Sequence, residues 1–391
     1  MARDVEIHGY CDPHFKSVKK VFKANFEHGL ECGASFAATI NGKFVVDIWG
    51  GHMDETKTMP WEKNTIAPVA STTKIMTAIC LHILVDRGKI DVNAPVAKYW
   101  PEFAQAGKEK LPVRYILSHT AGLAGFDEPL KVEDLLDSDR ITNLLAKQKP
   151  WWEPGSASGY HGITFSFLLG ELIRRISGKP LKVFFRDEVA LPLKADFHIG
   201  LTKELLSRFT EFIPSHIPDS ALLKNLPQDL MLVRVFSNPP LILPLNPKGL
   251  EKRSRLENKI AGFGNARSVA TIAAAIACGG ELNNVRLLSL DTIEKAIEEQ
   301  SYNTDLVLGV PIRFGLGFGL TSKQRPFPNP RTFYWSGSGG SSVIMDLDAK
   351  VSLAYVMNKM RYQTPEETQK NRFASDTRAN KLITAFFKSY Y

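Results

Sequence analysis

The chain has little of several features that would assign it to a specialised protein class. Its four cysteines are scattered and show no C-x-x-C spacing, which argues against a disulfide-dense secreted scaffold and against a cysteine-based zinc site. Scattered thiols of this kind are typical of reduced, structural cysteines. We therefore expect a cytoplasmic protein without a metal or other cofactor; the cysteines are Cys11, Cys32, Cys80 and Cys278.

Long apolar runs and clusters of basic charge are also missing. No stretch approaches the roughly 20 apolar residues of a membrane-spanning helix, and the start, Met-Ala-Arg-Asp-Val-Glu, has no apolar core of a secretory signal. The formal net charge of +8 is spread over 391 residues, without a Lys/Arg block interleaved with aromatic residues. These absences predict no membrane span and no nucleic-acid partner. The sequence carries no signal for an oligomeric state.

The pattern of apolar residues predicts strands near both ends of the chain and helices between them. This order predicts an α/β (α+β) fold in which residues 1–90 and 255–391 form a discontinuous sheet domain and residues 91–254 form an inserted, mainly helical domain. Asn41 and Gly42 join two β-rich runs and are a strong signal for a type I′ hairpin. Further predictions are helices over 13–28, 132–137, 140–147, 163–176, 181–189, 267–278 and 374–390, and strands over 312–321, 332–335, 342–346 and 351–357.

A serine and a lysine stand three residues apart at the start of an apolar helix. Residues 75–85 are apolar on nearly every face, which predicts a buried helix. Ser71 and Lys74 share one face at its mouth. Because a lysine is rarely buried without a partner, we interpret Ser71 as a nucleophile and Lys74 as the group that manages its proton. S-x-x-K is a common pattern, however, and Ser71 alone could be a helix N-cap; a second copy begins at Ser17.

Three later stretches carry further candidates. His119 lies in Leu-Ser-His-Thr-Ala-Gly-Leu at 117–123, Tyr160 follows a Gly/Ser turn, and a strand end at 334–335 leads into a small-residue bend. Backbone amides can approach a ligand closely at such a bend. Each stretch has an ordinary alternative, namely a structural histidine, a packed tyrosine or a glycine-rich hairpin. A triad of Ser71 with His119 has no supporting carboxylate pattern.

Taken together, these stretches resemble the serine β-lactamase and penicillin-binding-protein superfamily, and most of all the class C-like esterases known as family VIII carboxylesterases. The resemblance implies a serine β-lactamase-like fold, with an antiparallel sheet from the N- and C-terminal segments flanked by helices. The likeness covers most of the chain and rests on Ser-Thr-Thr-Lys at 71–74, Ile-Leu-Ser-His-Thr-Ala-Gly-Leu at 116–123, Tyr160, Gly-Phe-Gly-Asn-Ala-Arg at 262–267, Phe-Gly-Leu-Gly at 314–317 and Trp-Ser-Gly at 335–337.

The resemblance also implies roles for individual residues. Ser71 attacks an acyl carbonyl and forms an acyl-enzyme. Tyr160 is the implied general base, because the adjacent Lys74 ammonium favours a phenolate; which of the two accepts the proton stays open. The backbone N–H groups of Ser71 and Ser338 are the implied oxyanion hole. The mechanism requires no cofactor.

Two departures from the superfamily pattern bear on the substrate. The Tyr-x-Asn triplet reads Tyr-His-Gly at 160–162, so the side-chain amide that would hold a lactam or peptide amide is absent. The Lys-Thr-Gly motif reads Trp-Ser-Gly at 335–337, so an aromatic ring replaces the cation that would meet a substrate carboxylate. We expect these positions to bind substrate: His161, Gly162, Trp335, Ser336 and Gly337.

The sequence therefore predicts a serine carboxylesterase that hydrolyses small-molecule esters of short to medium acyl chain length. A β-lactamase, a D,D-peptidase or an acyltransferase is the alternative within the same fold. A catalytically dead binding module is the alternative from another class, and the intact Ser71, Lys74 and Tyr160 argue against it. The apolar, proline-rich stretch 238–247 is either a wall of the acyl or alcohol pocket or packing for the helical domain.

Overall fold

The computed structural model describes residues 5–214, 226–227, 229–239, 261–361, 363, 374 and 376–391. The strands in these ranges are, in chain order, β1 (Ile7–Cys11), β2 (Gly33–Ile40), β3 (Lys43–Gly51), β4 (Ala67–Pro68), β5 (His198–Ile199), β6 (Gly262–Gly264), β7 (Glu281–Leu282), β8 (Val285–Arg286), β9 (Ser301–Thr304), β10 (Pro311–Phe314), β11 (Gly319–Leu320), β12 (Thr332–Ser336), β13 (Ser342–Asp346) and β14 (Val351–Met357).

Within the described residues, nine of these strands form one antiparallel sheet. Their order is β1-β3-β2-β14-β13-β12-β11-β10-β9, so the N-terminal and C-terminal strands meet where β2 pairs with β14. Two small sheets, β4-β6-β5 and β7-β8, lie outside it. The large antiparallel sheet with flanking helices confirms the predicted fold class. The division into domains at 90/91 and 254/255 stays a prediction.

The hairpin between β2 and β3 forms where the sequence predicts it. Asn41 and Gly42 both adopt positive φ, at 50° and 74°, as both central residues of a type I′ turn must. The strands pair from Ile40 opposite Lys43 to Gly33 opposite Gly51, with one irregularity after Ala38.

Helices cover both faces of the main sheet. They are α1 (Lys16–Glu27), α2 (Thr73–Asp86), α3 (Val113–Leu117), α4 (Ser138–Lys147), α5 (Thr164–Ser177), α6 (Leu181–Phe185), α7 (Leu191–Leu193), α8 (Met231–Phe236), α9 (Ala266–Ala277), α10 (Leu290–Ala296) and α11 (Thr377–Tyr390). Strand β2 shows the two faces: Phe36 and Ala38 pack with α1 and α11, whereas Ala37 belongs to the core with α2 and α9. No helix in the described ranges is both long and apolar enough to cross a membrane.

Helix α2 lies in the middle of the larger core. Every residue from Thr73 to Leu84 is buried, which confirms the prediction of a helix without an exposed face. It contacts α5, α6 and α10. A helix surrounded in this way cannot shift easily, because protein interiors are close-packed, so the residues at its N-terminus are held on a rigid support.

Three predicted elements differ in the structure. Residues 132–137 form a 3-10 helix, Val132–Leu136, and residues 181–189 divide into α6 and the π-helical turn Arg186–Ala190. The predicted strand 312–321 is two strands, β10 and β11. It is interrupted because Gly317 has a φ of 92° and lies so close to α2 that a Cβ there would stand 2.5 Å from the Cβ of Ala78.

The start of α11 is fastened to the sheet by a buried arginine. The Arg378 guanidinium is fully buried and pairs with Glu31 at 3.0 Å and Asp376 at 2.9 Å. It also donates to the carbonyl of Gly339 at 2.7 Å. The Tyr355 hydroxyl donates to Glu31. One guanidinium thus faces two carboxylates, and burial raises the pKa of Glu31 to about 7.

Arg378→Met is expected to destabilise the protein by about 3–5 kcal/mol, because it leaves two buried carboxylates without their cation. Urea unfolding measures the change. Arg331→Met is the matched control: Arg331 also pairs with two carboxylates, Glu294 at 2.9 Å and Asp348 at 2.7 Å, but is largely exposed. The control should cost less than about 1 kcal/mol. Equal losses in the two variants would contradict this account of α11.

Candidate active site

Ser71 lies in a tight turn that leads directly into α2. The turn is the 3-10 segment Ala70–Thr72, and Ala70 has a φ of 45°, in the left-handed region that side chains rarely adopt. The Thr73 hydroxyl donates to the carbonyl of Ala70 at 2.6 Å and accepts from the N–H of Gly262 at 2.8 Å. The strained turn is therefore held by β6, and strain of this kind concentrates at functional sites.

Lys74 connects the Ser71 turn to the stretch that carries Tyr160. Its side chain is buried, with 7 % of the residue exposed. The ammonium donates to the carbonyl of Gly162 at 2.7 Å and lies 3.5 Å from the Ser71 Oγ. It stands 5.0 Å from the centre of the Tyr160 ring. The predicted nucleophile, lysine and tyrosine are thus brought together.

The backbone of Tyr160 is fixed by a buried carboxylate. The Tyr160 N–H donates to Oδ1 of Asp305 at 3.0 Å, and the same oxygen accepts from the N–H of Val307 at 3.0 Å. On the other side, the indole N–H of Trp335 donates to the Tyr160 hydroxyl oxygen in a long hydrogen bond of 3.4 Å. The phenol is therefore positioned at both its backbone and its hydroxyl.

The end of β12 lies directly against the Ser71 turn. A Cβ on Gly337 would stand 2.3 Å from the carbonyl oxygen of Val69 and 3.1 Å from the backbone N of Ser71. The Ser341 hydroxyl donates to the Val69 carbonyl at 2.7 Å and lies 2.9 Å from the Thr72 hydroxyl. Only a glycine permits this approach of strand to turn.

Ser338 follows Gly337 and is exposed. Ser338 is therefore the residue next to Gly337, where the end of β12 approaches the Ser71 amide. N–H groups at the start of a helix have no intrahelical acceptor, and Ser71 lies two residues before Thr73, the first residue of α2. Ser336 is half-buried, and its hydroxyl lies 3.1 Å from that of Ser342 across the β12–β13 pair.

Trp335 is buried and packs against the ring of Tyr160. It is 8 % exposed, and its ring centroid is 5.3 Å from that of Tyr160, 5.5 Å from that of Phe314 and 6.2 Å from that of His119. The tryptophan at the position of the superfamily's lysine thus packs against the Tyr160 ring and donates to its hydroxyl oxygen, contacts that the sequence motif does not predict.

Both histidines of this region are buried and use their ring nitrogens on the backbone. His119 Nδ1 accepts from the N–H of His161 at 3.1 Å. His161 Nε2 accepts from the N–H of Leu123 at 3.2 Å, and its Nδ1 lies 2.7 Å from the Gly159 carbonyl. The substrate-binding role predicted for the His161 side chain is therefore not supported, because both nitrogens already have partners and the residue is fully buried.

The family model described as Beta-lactamase matches residues 22–376. The chain belongs to the Beta-lactamase family. Esterase/beta-lactamase LipL of Mycobacterium tuberculosis (strain ATCC 25618 / H37Rv) is 33 % identical over 367 residues, which cover 90 % of this chain and 83 % of that relative.

Solved structures agree with this membership of the Beta-lactamase family. The crystal structure of a family VIII carboxylesterase has a TM-score of 0.87 and 37 % identity, with 98 % of this chain and 100 % of that chain covered. A novel penicillin-binding protein homologue from Caulobacter crescentus has a TM-score of 0.87 and 34 % identity, with the same coverage. The resemblance inferred from the motifs is thereby confirmed.

The Beta-lactamase family motifs gave no signal for three further positions around the site. Asp305 accepts from the backbone N–H of Tyr160. The Ser341 hydroxyl, in the loop between β12 and β13, donates to the carbonyl of Val69 next to the Ser71 turn. Phe236, at the end of α8, reaches Gly162. A lone aspartate, serine or phenylalanine far along the chain has no spacing that links it to Ser71, so a contact of this kind is seen only in the folded chain.

Buried histidines predict that this Beta-lactamase family protein loses stability in acid. Burial lowers the pKa of His82 and His119, the latter strongly, and lowers the pKa of His161 to about 4. Below about pH 6.5 these histidines bind protons in the unfolded chain but not in the folded chain, so their contribution to the free energy of unfolding falls as the pH falls. Glu31, whose pKa burial raises to about 7, partly offsets this loss because it binds its proton in the folded chain first. Each histidine contributes at most about 1.4 kcal/mol per pH unit. Urea unfolding measures this slope when it is repeated between pH 7.5 and pH 5, in steps of about half a pH unit.

His82→Gln tests whether the buried histidines cause the loss of stability in acid. Glutamine keeps a donor for the carbonyl of Leu316, which His82 contacts at 2.8 Å, but does not titrate. The slope should become smaller, because one of the three histidines no longer titrates. His14→Gln, at an exposed position, should leave the slope as it is. An unchanged slope in His82→Gln would show that other groups cause the acid sensitivity.

Proposed function

We propose that this protein is a serine carboxylesterase that hydrolyses small-molecule esters through an acyl-enzyme on Ser71. The observation that carries the proposal is the placement of the Lys74 ammonium, 3.5 Å from the Ser71 Oγ and 5.0 Å from the centre of the Tyr160 ring. The names of the similar proteins, an esterase/beta-lactamase and a family VIII carboxylesterase, support the same reaction class.

Acylation uses the serine and its two neighbours. The Ser71 oxygen forms a bond to the ester carbonyl carbon while its proton passes to Tyr160, the general base. The Lys74 side chain is held by the Gly162 carbonyl, so its Nζ stays beside both the Ser71 oxygen and the Tyr160 ring. The alkoxide of the ester then leaves, takes the proton back and departs as the alcohol.

The negative charge on the carbonyl oxygen needs donors in fixed positions. We assign the backbone N–H groups of Ser71 and Ser338 to this role; the close approach of Gly337 to the Ser71 nitrogen supports it. One such donor is worth roughly 3–4 kcal/mol in comparable enzymes. Water then attacks the acyl-enzyme, with Tyr160 as base again, and the carboxylic acid is released.

The substrate is proposed to be an ester with an apolar acyl group. Gly162 carries no side-chain amide, and Trp335 directs its only polar atom to Tyr160. Neither position offers a polar group to hold the amide or the carboxylate of a β-lactam or a peptide. Ser336 and Gly337, at the strand end, remain proposed substrate contacts.

A β-lactamase is the second candidate, because the relative from M. tuberculosis is named for both activities. A cytoplasmic location is also part of the proposal; all four cysteines are free thiols, which supports it.

The kcat/KM for p-nitrophenyl butyrate and for nitrocefin on one preparation separates the two candidates. We expect the ester to exceed the β-lactam by about 100-fold or more, the cost of a misplaced reacting group. Nitrocefin turnover equal to that of the ester would favour the β-lactamase, and the argument from Gly162 and Trp335 would then fail.

A further inference from the structure

The ring of Phe236 occupies the space beside Gly162. Phe236 is the last residue of α8 and packs, partly buried, against the larger core. A Cβ on Gly162 would stand 2.8 Å from Cζ and 3.0 Å from Cε1 of that ring, and 3.6 Å from Cε1 of Tyr160. Carbon atoms in favourable contact are about 3.5–4.0 Å apart. The ring therefore fills the place that any side chain at position 162 would need.

The backbone does not require a glycine at position 162. Its φ lies outside the left-handed region, unlike that of Gly155 in the same loop, which has a φ of 88°. The glycine at position 162 is therefore explained by the lack of space for a side chain and not by its backbone conformation. Phe236 and Gly162 form a complementary pair, in which the bulk on one side matches the missing side chain on the other.

The position of Phe236 is secured on both sides along the chain. Arg234 pairs with Asp127 at 2.5 Å. The Asn238 side chain donates to two backbone carbonyls of the loop 126–130 at 2.9 Å each and accepts from an N–H of that loop at 2.8 Å. The backbone on both sides of Phe236 is thus anchored to the segment 126–130.

We propose that Phe236 is a specificity-determining residue whose ring binds the apolar acyl chain of the ester, where the superfamily's Tyr-x-Asn triplet supplies a side-chain amide. This inference rests on the proposed ester hydrolysis. A phenyl ring removes methylene groups from water and offers no donor or acceptor for an amide. Gly162 makes room for the ring, and its carbonyl holds Lys74, so the pair links acyl-chain binding to the catalytic lysine.

Two single variants and their combination test the pair. Gly162→Ala should lower kcat/KM for p-nitrophenyl butyrate by about 10-fold or more, because the new methyl group displaces the carbonyl that positions Lys74. In the Phe236→Ala background, where the ring no longer fills the space, the same change should cost less than about 3-fold. Such non-additivity is the signature of a direct contact between the two positions.

Acyl chain length provides the second readout. Phe236→Ala should lower the ratio of kcat/KM for the p-nitrophenyl octanoate and acetate esters by about 10-fold, because the longer chain loses its apolar surface. Phe236→Leu keeps an apolar side chain and should retain most of the ratio. Leu232→Ala is the matched control: it shortens another partly buried side chain of α8 and should neither change the ratio nor rescue Gly162→Ala. Thermal unfolding of each variant shows whether it is folded.

The possible outcomes separate the inference from the proposed function. If the wild type hydrolyses no ester, both are wrong. If hydrolysis depends on Ser71 but the effects of Gly162→Ala and Phe236→Ala simply multiply, or if the chain-length ratio of Phe236→Ala equals that of the wild type, the serine esterase stands and the role of Phe236 is wrong.

Discussion

Ser71→Ala is expected to lower kcat for ester hydrolysis by roughly 10⁴- to 10⁶-fold, the loss seen when a catalytic serine is removed. The change deletes only the nucleophilic oxygen, whose one contact with Lys74 is long, at 3.5 Å. The fold should therefore be unaffected, and the thermal midpoint should stay close to that of the wild type. Steady-state kinetics with p-nitrophenyl butyrate and a thermal melt measure the two properties.

The chain provides its own matched control for this variant. Ser17 and Lys20 form the second S-x-x-K pattern, in α1, and the Ser17 hydroxyl lies 2.8 Å from that of Ser389. Ser17→Ala should keep full activity, because α1 packs with α11 on the other face of the sheet. Activity of Ser71→Ala within tenfold of the wild type would remove Ser71 from the mechanism.

Tyr160→Phe is expected to lower kcat by at least about 100-fold, the lower range of general-base contributions. The phenyl ring keeps its packing against Trp335 at 5.3 Å but loses the proton acceptor. Because Lys74 and Tyr160 act with Ser71 as a unit, Lys74→Met should add little to the loss in Tyr160→Phe. Steady-state kinetics of the two single variants and the double variant test both statements.

Tyr334→Phe is the control for loss of a buried hydroxyl near the site. Tyr334 neighbours Trp335 on β12 but belongs to the core on the opposite face of the sheet, so its replacement should change kcat little. A mild effect of Tyr160→Phe together with a severe effect of His119→Ala would instead favour a Ser–His mechanism. The structure argues against that mechanism, because His119 Nδ1 accepts from a backbone N–H and burial keeps its pKa low.

The fold and the central residues could be predicted where local patterns carry the information. The apolar run at 75–85 predicts a helix buried on all faces. The S-x-x-K pattern at its start predicts that Ser71 and Lys74 are catalytic residues. Asn41 and Gly42 gave the hairpin turn, because only a few residues tolerate positive φ. In each case the signal lies within a few residues of the feature it predicts.

The features that were missed depend on contacts between distant segments. Gly162 is visible in the sequence as a departure from Tyr-x-Asn, but the Phe236 ring that fills the space beside it lies 74 positions along the chain. His161 was expected to meet the substrate, whereas backbone groups bind both its ring nitrogens. The break between β10 and β11 follows from the close approach of Gly317 to Ala78. Such contacts leave no periodic trace in the sequence.

The proline-rich stretch 238–247 lies outside the described residues from position 240 onward. Its role as a wall of the acyl or alcohol pocket stays a prediction. Asn238 and Pro239 are described, and Asn238 anchors the chain to the loop 126–130. Replacing Leu241, Ile242 and Leu243 with serine should change the chain-length preference if the stretch lines the pocket, and lower only stability if it packs elsewhere.

Intact-mass spectrometry after reaction with a p-nitrophenyl alkylphosphonate tests the central claim most directly. The Ser71 oxygen would bond to phosphorus and p-nitrophenolate would leave, so the protein gains the mass of one phosphonyl group. The account predicts a single adduct on the wild type, located at Ser71 by peptide mapping, and no adduct on Ser71→Ala. An adduct that persists in Ser71→Ala, or one located at another residue of the wild type, would contradict the account.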